Sequence, residues 1–242
     1  TTGLPANFDA PISDTDNWPR VVQLAWQIHD DMGGLILQKD FIIKPVGYNV
    51  PFKAEDVHGI STELADLLGE DMADVLRLFK SDLAKADFII GHNLKFDVNI
   101  MGCEFFRLQE ESPFLNIPIL DTCSEETAKL CQLGGRKGGG FKKPTLTELI
   151  IFLFNQSFDE AHNATADVEA TSRCFLELIR RGHFSEELLK KEAGYLRRFS
   201  EANPSLIAPI GLTHLNLKAE SAKLVPTSVP NQKKTISDNQ RL

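Results

Sequence analysis

Two short stretches place an acid in the first turn of a helix, close behind a histidine or an asparagine. In Ile90-Gly-His-Asn-Leu-Lys-Phe-Asp97 an apolar run delivers the chain to Gly91, which permits a turn, and Asn93 is expected to cap the helix that follows. Asp97 then lies near the positive end of that helix, where its ionised form is favoured. In His162-Asn-Ala-Thr-Ala-Asp167 the histidine sits in the loop ahead of a helix and Asp167 lies one turn inside it. The small residues Ala164, Thr165 and Ala166 allow a ligand or another backbone to come close. Carboxylate oxygens suit hard cations such as Mg²⁺, and a neutral histidine beside them can take a proton from water. Either stretch alone reads equally well as an acid that merely favours a helix start. Chemistry requires that the fold bring the two together.

The elements that must position them follow from periodicity. Arg20 to Ile28 alternates apolar and polar residues, Asp30 to Gly34 is a turn, and Leu35 to Ile43 resumes the alternation, which predicts an antiparallel hairpin. Helices are expected over Thr62 to Leu68 and Met72 to Ala86, the second with Val75, Leu76, Phe79 and Leu83 as its core-facing stripe. A short strand from Asp87 to Ile90 leads into a helix from Leu94 to Leu108. A strand from Ile117 to Leu120 ends at Asp121 and precedes a helix to about Leu133. Asp121 reads as the cap of that second helix. Thr145 and Glu148 form a capping box ahead of Leu149 to Phe154, and Asn163 to Arg181 is a long helix stopped by Gly182. The order of these elements predicts one α/β domain over 1–183, with 184–242 as an amphipathic helix and a flexible linker or tail.

Composition narrows the functions. The 242 residues carry 26 basic and 34 acidic side chains, a net charge of −8, with 42% hydrophobic residues. A chain this acidic does not coat nucleic acid non-specifically, so any nucleic-acid contact is local or metal-mediated. No apolar run spans a membrane and no signal segment is visible, which gives the expectation of a cytoplasmic protein without a membrane partner. Cys103, Cys123, Cys131 and Cys174 form no C-x-x-C pair and read as reduced thiols. The basic loop holding Arg136, Lys137, Lys142 and Lys143 could touch phosphates but reads equally as a solvated loop. Trp18 and Trp26 read as core or surface fill, and His29, His183 and His214 as structural.

Taken in order, four stretches resemble the DEDDh 3′–5′ exonucleases, the family of the proofreading epsilon subunit of bacterial DNA polymerase III. Thr1-Thr-Gly-Leu-Pro5 resembles the end of that family's first motif, Asp-x-Glu-Thr-Thr-Gly-Leu-Pro. His58-Gly-Ile-Ser61 resembles its His-Gly-Ile-Thr segment, Gly91 to Asp97 its second acidic motif, and His162 to Asp167 its third. The likeness extends over about residues 1 to 181. It implies a ribonuclease H-like α/β fold, a mixed five-stranded sheet flanked by helices. It also implies two divalent ions, Mg²⁺ or Mn²⁺, held by four carboxylates. Carried over, Asp97 and Asp167 are metal ligands and His162 is the general base. Thr1, Thr2, Gly3 and Leu4 hold the 3′-terminal nucleotide, and His58, Asn93 and Phe96 line the same pocket. The Asp-x-Glu that would precede Thr1 is not in the sequence, so the 242 residues by themselves are expected to be impaired.

The resemblance implies hydrolysis of 3′-terminal phosphodiesters in single-stranded DNA, with proofreading as its setting and the DNA polymerase III alpha subunit as partner in cis or in trans. The segment Leu206 to Leu217 resembles a connector leading on to such a polymerase. Two alternatives stand beside it: an exoribonuclease trimming RNA or oligonucleotides, and an inactive nucleic-acid-binding domain lacking the first acidic motif.

Overall fold

The computed structural model describes residues 1–30, 33–135, 140–156, 158 and 164–183. The hairpin expected at the start is present. Strand β1 (Gln23–His29) pairs antiparallel with β2 (Leu35–Ile42), with Gln23 opposite Ile42 and Gln27 opposite Gln38. The strand begins after Arg20 because the backbone there is already engaged. Arg20 N–H donates to Thr2 Oγ1 (2.9 Å), and Val21 N–H donates to Glu104 Oε1 (3.2 Å).

Helix α1 (Phe52–His58) is a short element that hydrophobic periodicity does not announce. It starts after Pro51 and stops at Gly59, whose φ of 74° is a left-handed conformation that glycine adopts without strain. Helix α2 (Thr62–Leu68) has Ser61 as its cap, and α3 (Met72–Leu83) has Asp71. Helix α3 ends at Leu83, short of the expected Ala86, where the backbone tightens into turns through Lys85 and Ala86. Between α2 and α3 the chain is stitched to the hairpin. Glu70 N–H donates to Ile42 O, and Lys44 N–H donates to Glu70 O.

Strand β3 (Ile89–Gly91) runs parallel to β4 (Ile119–Asp121), and between them come α4 (Leu94–Arg107) and a 3₁₀ turn (Pro113–Asn116). Helices α5 (Glu125–Cys131), α6 (Leu146–Phe154) and α7 (Ala164–Arg180) complete the described chain. Thr145 and Glu148 form the expected capping box at the start of α6. The sheet differs from expectation. Among the described residues there are four strands in two separate pairs, β1–β2 and β3–β4, in place of one five-stranded sheet. Helix α7 packs on β1 and on β3, so one helix covers both pairs.

Burial explains why these pieces hold. Trp18, Trp26, Ile43, Val75, Leu76 and Phe105 belong to one core between the hairpin, α3 and α4. Cys131, Leu149, Cys174 and Leu178 form a second core under α6 and α7. Both tryptophans are core residues, with Trp18 Nε1 donating to Pro11 O (3.0 Å) and Trp26 Nε1 to Asp82 Oδ2 (3.1 Å). All four cysteines are free thiols. Burial pushes the thiol of Cys131 up to about 11 and that of Cys174 up to about 12, so both are neutral at physiological pH. Among the described residues no helix is long and apolar enough to cross a membrane. The proposed tail, 184–242, lies outside the described residues.

Candidate active site

A cleft of about 910 Å³ opens between the two strand pairs, and both Asp97 and Asp167 line it. Each acid reaches it through its own helix. Asp97 lies in the first turn of α4 and Asp167 in the first turn of α7. The fold thus brings together the second and third acidic stretches, which are 70 residues apart in sequence.

The start of α4 is held differently from expectation. Asn93 does precede the helix, but in a left-handed conformation (φ 64°, ψ 43°) and without a side-chain cap. The cap comes from the neighbouring strand. Asp121 Oδ1 accepts from Asn93 N–H (2.8 Å) and Oδ2 from Leu94 N–H (3.1 Å). Asp121 therefore caps α4 and not the helix after it, which takes Ser124 as its cap. Asp121 Oδ1 also accepts from Cys123 N–H (2.8 Å), which ties the end of β4 to the same carboxylate. No local signal marks this role, because the capped amides lie 27 and 28 residues away.

The start of α7 is anchored by the hairpin. Ala164 N–H donates to Gln23 Oε1 (3.4 Å), Thr165 Oγ1 donates to Asp40 Oδ2 (2.5 Å), and Ser172 Oγ donates to Gln27 Oε1 (3.2 Å). Gln23 Nε2 in turn donates to both oxygens of Asp40 (2.9 Å each). Gln23, Gln27 and Asp40 thus hold α7, which carries Asp167, against the hairpin, contacts that strand alternation does not announce.

The first residues lie near Asp97, whose charge acts on the Thr1 amino group. Thr2 N–H donates to Arg20 O (2.9 Å), Thr1 Oγ1 donates to Gly3 O (2.9 Å), and His58 Nε2 contacts Thr1 O (3.2 Å). Because Ile60 N–H donates to His58 Nδ1 (3.2 Å), the proton of a neutral imidazole sits on Nε2 and points at Thr1. Burial lowers the histidine's pKa, in keeping with that neutral form. Leu4 is 75% exposed beyond these anchors. Phe96 is half-buried and meets Phe8 with ring centroids 6.4 Å apart. Thr1 thus lies near Asp97 and His58 touches Thr1, while Asn93 and Phe96 sit beside Asp97 at the start of α4; none of Thr1, Thr2, Gly3, Leu4, His58, Asn93 or Phe96 is among the residues that line the cleft.

Asp97 is exposed to the water of the cleft, with the cleft walls crowded around it. This enclosure, with the like charges of Asp121 and Asp167, raises its pKa to about 7 against the opposing pull of its backbone N–H and the Thr1 amino group. Carboxylates that repel one another across a cleft are the donor chemistry a divalent cation relieves. Asp97 and Asp167 carry the donor atoms such an ion takes and could supply part of its shell. Among the described residues no three His, Cys, Asp or Glu side chains gather closely enough to complete one. His162, the expected general base, lies outside the described residues, as do Arg136 and Lys137. Lys142 and Lys143 are turned to carboxylates, at 2.6 Å from Glu148 and 3.8 Å from Glu125.

No protein-family model matches the chain, and no curated protein matches it. Solved structures do. Escherichia coli exonuclease I in complex with a dT13 oligonucleotide aligns at a TM-score of 0.55 and 20% identity, covering 78% of this chain and 41% of that one. Exonuclease I from Methylocaldum szegediense aligns at 0.53 and 19% identity, covering 79% and 41%. This chain thus spans about two fifths of the length of the exonuclease I chains it matches. At this identity the likeness concerns the backbone, and the chain accordingly has a ribonuclease H-like α/β fold of the kind seen in exonuclease I.

Proposed function

We propose that this protein is a 3′–5′ exonuclease acting on the 3′ end of single-stranded DNA. The observation that carries the reading is that Asp97 and Asp167 line one cleft, with the Thr1 amino group close to Asp97. In this reading the two acids hold divalent ions, Mg²⁺ or Mn²⁺. When bound, such ions supply a nucleophile at neutral pH and charge stabilisation for the departing 3′ oxygen. The chain's own residues do the rest. The Thr1 and Thr2 backbone, fixed by His58 and Arg20, receives the terminal nucleotide, with exposed Leu4 and the half-buried Phe96 ring offering apolar surface to its base. Asn93 borders this pocket, Gly3 gives the backbone room to approach, and His162 accepts the proton of the attacking water. The exonuclease I structure with its dT13 oligonucleotide supports DNA as the substrate class.

Proofreading within DNA polymerase III is the finer form of this proposal. Its support is the resemblance of Leu206 to Leu217 to a polymerase connector, and co-purification with the alpha subunit tests it. Residues 1–183 are then the nuclease and 184–242 its tether.

The decisive assay uses 5′-labelled single-stranded DNA with the 242-residue chain in Mg²⁺ or Mn²⁺. The expected result is slow shortening from the 3′ end, stopped by chelator and by Asp97→Asn, and reduced about 10²-fold or more by His162→Ala. Mn²⁺ binding lost in Asp97→Asn and Asp167→Asn is the companion readout. The reading is overturned if shortening survives these substitutions, or if neither Mn²⁺ binding nor shortening occurs.

A further inference from the structure

Thr145, Leu146 and Thr147, at the start of α6, line the same cleft as Asp97 and Asp167. The capping box and the ion pair from Lys142 to Glu148 shape that turn from within. Its tie to the strand ends runs through the residue before it. Pro144 is buried, and a buried carbonyl needs a donor. Its oxygen accepts from His92 Nε2 (3.1 Å) and from Cys123 Sγ (3.6 Å). A thiol is a weak donor, so the imidazole carries most of this contact. His92 directly follows β3, and Cys123 lies just beyond the end of β4.

The hydrogen bonds also fix the state of the ring. Pro144 O can only accept, so Nε2 holds the proton. Burial lowers the His92 pKa against the pull of Asp121 and of Pro144, which keeps the ring neutral and leaves Nδ1 as an acceptor. Nδ1 lies 3.0 Å from Thr122 Oγ1, whose one hydroxyl proton can go to Nδ1 or to Gly91 O (2.9 Å). Gly91 O already accepts from Thr122 N–H (2.8 Å), which leaves the hydroxyl for the ring. Thr122 is fully buried, so the ring is gripped on the strand side by a group shut off from solvent.

We propose that His92 is a positioning residue, a neutral clasp that holds the start of α6 against the ends of β3 and β4 and so sets the wall on which a bound polynucleotide strand rests. The strand as occupant rests on the nuclease reading; the clasp does not. Neither acid depends on it. Asp121 holds the helix that carries Asp97, while Gln23, Gln27 and Asp40 hold the helix that carries Asp167. Loss of the clasp therefore frees Thr145 to Thr147 and leaves the two carboxylates in place. Its effect falls on binding of the strand and not on the chemical step.

The test compares the 242-residue chain with two variants. His92→Leu fills the space and makes neither bond. His92→Gln places an amide N–H near the position of Nε2 and keeps the bond to Pro144. Heteronuclear NMR of the native chain is expected to show the His92 ring protonated at Nε2 and bare at Nδ1. His92→Leu is expected to speed amide exchange at Lys142 and Leu149 by about fivefold or more, the worth of one hydrogen bond, and to leave Asn93 and Leu94 within about twofold. In the shortening assay it is expected to raise KM for the DNA by about fivefold with kcat within about twofold, and His92→Gln to return exchange and KM to native values. The clasp is overturned if Nδ1 carries a proton, if Lys142 and Leu149 keep their native exchange in His92→Leu, or if Asn93 and Leu94 speed up equally. A fall in kcat at constant KM overturns the role in binding. If the native chain shortens no DNA while exchange behaves as expected, the nuclease reading fails and the strand with it, and the clasp stands.

Discussion

Glu104 offers the sharpest test of how the hairpin, α4 and the first residues are joined. Its side chain is 1% exposed, and one oxygen, Oε1, accepts from Arg20 Nε (2.9 Å), Arg107 Nη1 (3.0 Å) and the buried Val21 N–H (3.2 Å). Glu104→Ala removes all three at once. Val21 N–H, without a partner in a buried site, costs about 1–3 kcal/mol, and the emptied volume about 1–2 kcal/mol more. The two guanidiniums suffer less. Arg107 keeps its bonds to Thr15 O (2.6 Å) and Trp18 O (2.7 Å), and Arg20 stays over the Tyr48 ring at 4.3 Å. The total is about 2–5 kcal/mol, overlapping the range for breaking a buried ion pair from one side. Glu104→Gln keeps an acceptor for Val21 and loses mainly the charge, so about 1–2 kcal/mol is expected. Urea unfolding at neutral pH measures both. With a slope of about 2 kcal/mol per molar, the alanine variant shifts the midpoint down by about 2 M and the glutamine variant by less than 1 M. Equal losses in the two variants, or a loss below 1 kcal/mol for alanine, refute the argument that the buried N–H and the charge carry the energy.

Four further expectations follow from the same geometry. A Cβ on Gly69 would stand 2.2 Å from Ala65 O and 2.5 Å from Lys44 N, both backbone atoms, so Gly69→Ala is expected to destabilise by more than about 2 kcal/mol in the same unfolding assay. Asp82 is pulled up by burial but pushed further down by its bonds to Lys39, Lys85 and Trp26, to about 2 from an ordinary 3.8. The folded value lies below the unfolded one, so its contribution is complete above about pH 4 and is lost as pH falls toward 2. The stability difference between the native chain and Asp82→Asn should shrink over that window by about 1–2 kcal/mol, less than the full shift because Lys39 and Lys85 reach into solvent. Asp121→Ala should cost about 2 kcal/mol and speed amide exchange at Asn93 and Leu94 specifically. Iodoacetamide at pH 7.5 should leave Cys174 unlabelled in the folded chain and label it in urea, because its thiolate is scarce and its sulfur buried.

Much of this architecture was legible in the order of residues. Alternation located the hairpin and periodicity located α3, because each element buries one face against a core and the pattern follows from that burial. Ser61, Asp71 and the Thr145–Glu148 box announce their helices, since a cap bonds amides two or three residues away. Helix α1 escaped notice because only Ala54 of its seven residues is buried, although Pro51 before it and Gly59 after it are start and stop signals. That Asp121, and not Asn93, caps α4 was not legible at all. It depends on β3 and β4 lying side by side, a contact between segments about 30 residues apart. Asp97 and Asp167 were visible as helix-start acids, but that they share one cleft depends on Gln23, Gln27 and Asp40 drawing α7 onto the hairpin.

The carboxylate of Asp121 joins the end of β4 to the first amides of α4, which fixes the backbone that carries Asp97. An acid set in this way is insulated from drift in the surrounding loops. Substitutions at lining residues away from this junction, such as Thr145, Leu146 or Phe158, can reshape what the cleft admits while the carboxylate stays in register. On the proposed nuclease reading, substrate preference and chemistry are thereby separable in the fold, so that the first can diverge while the second is kept.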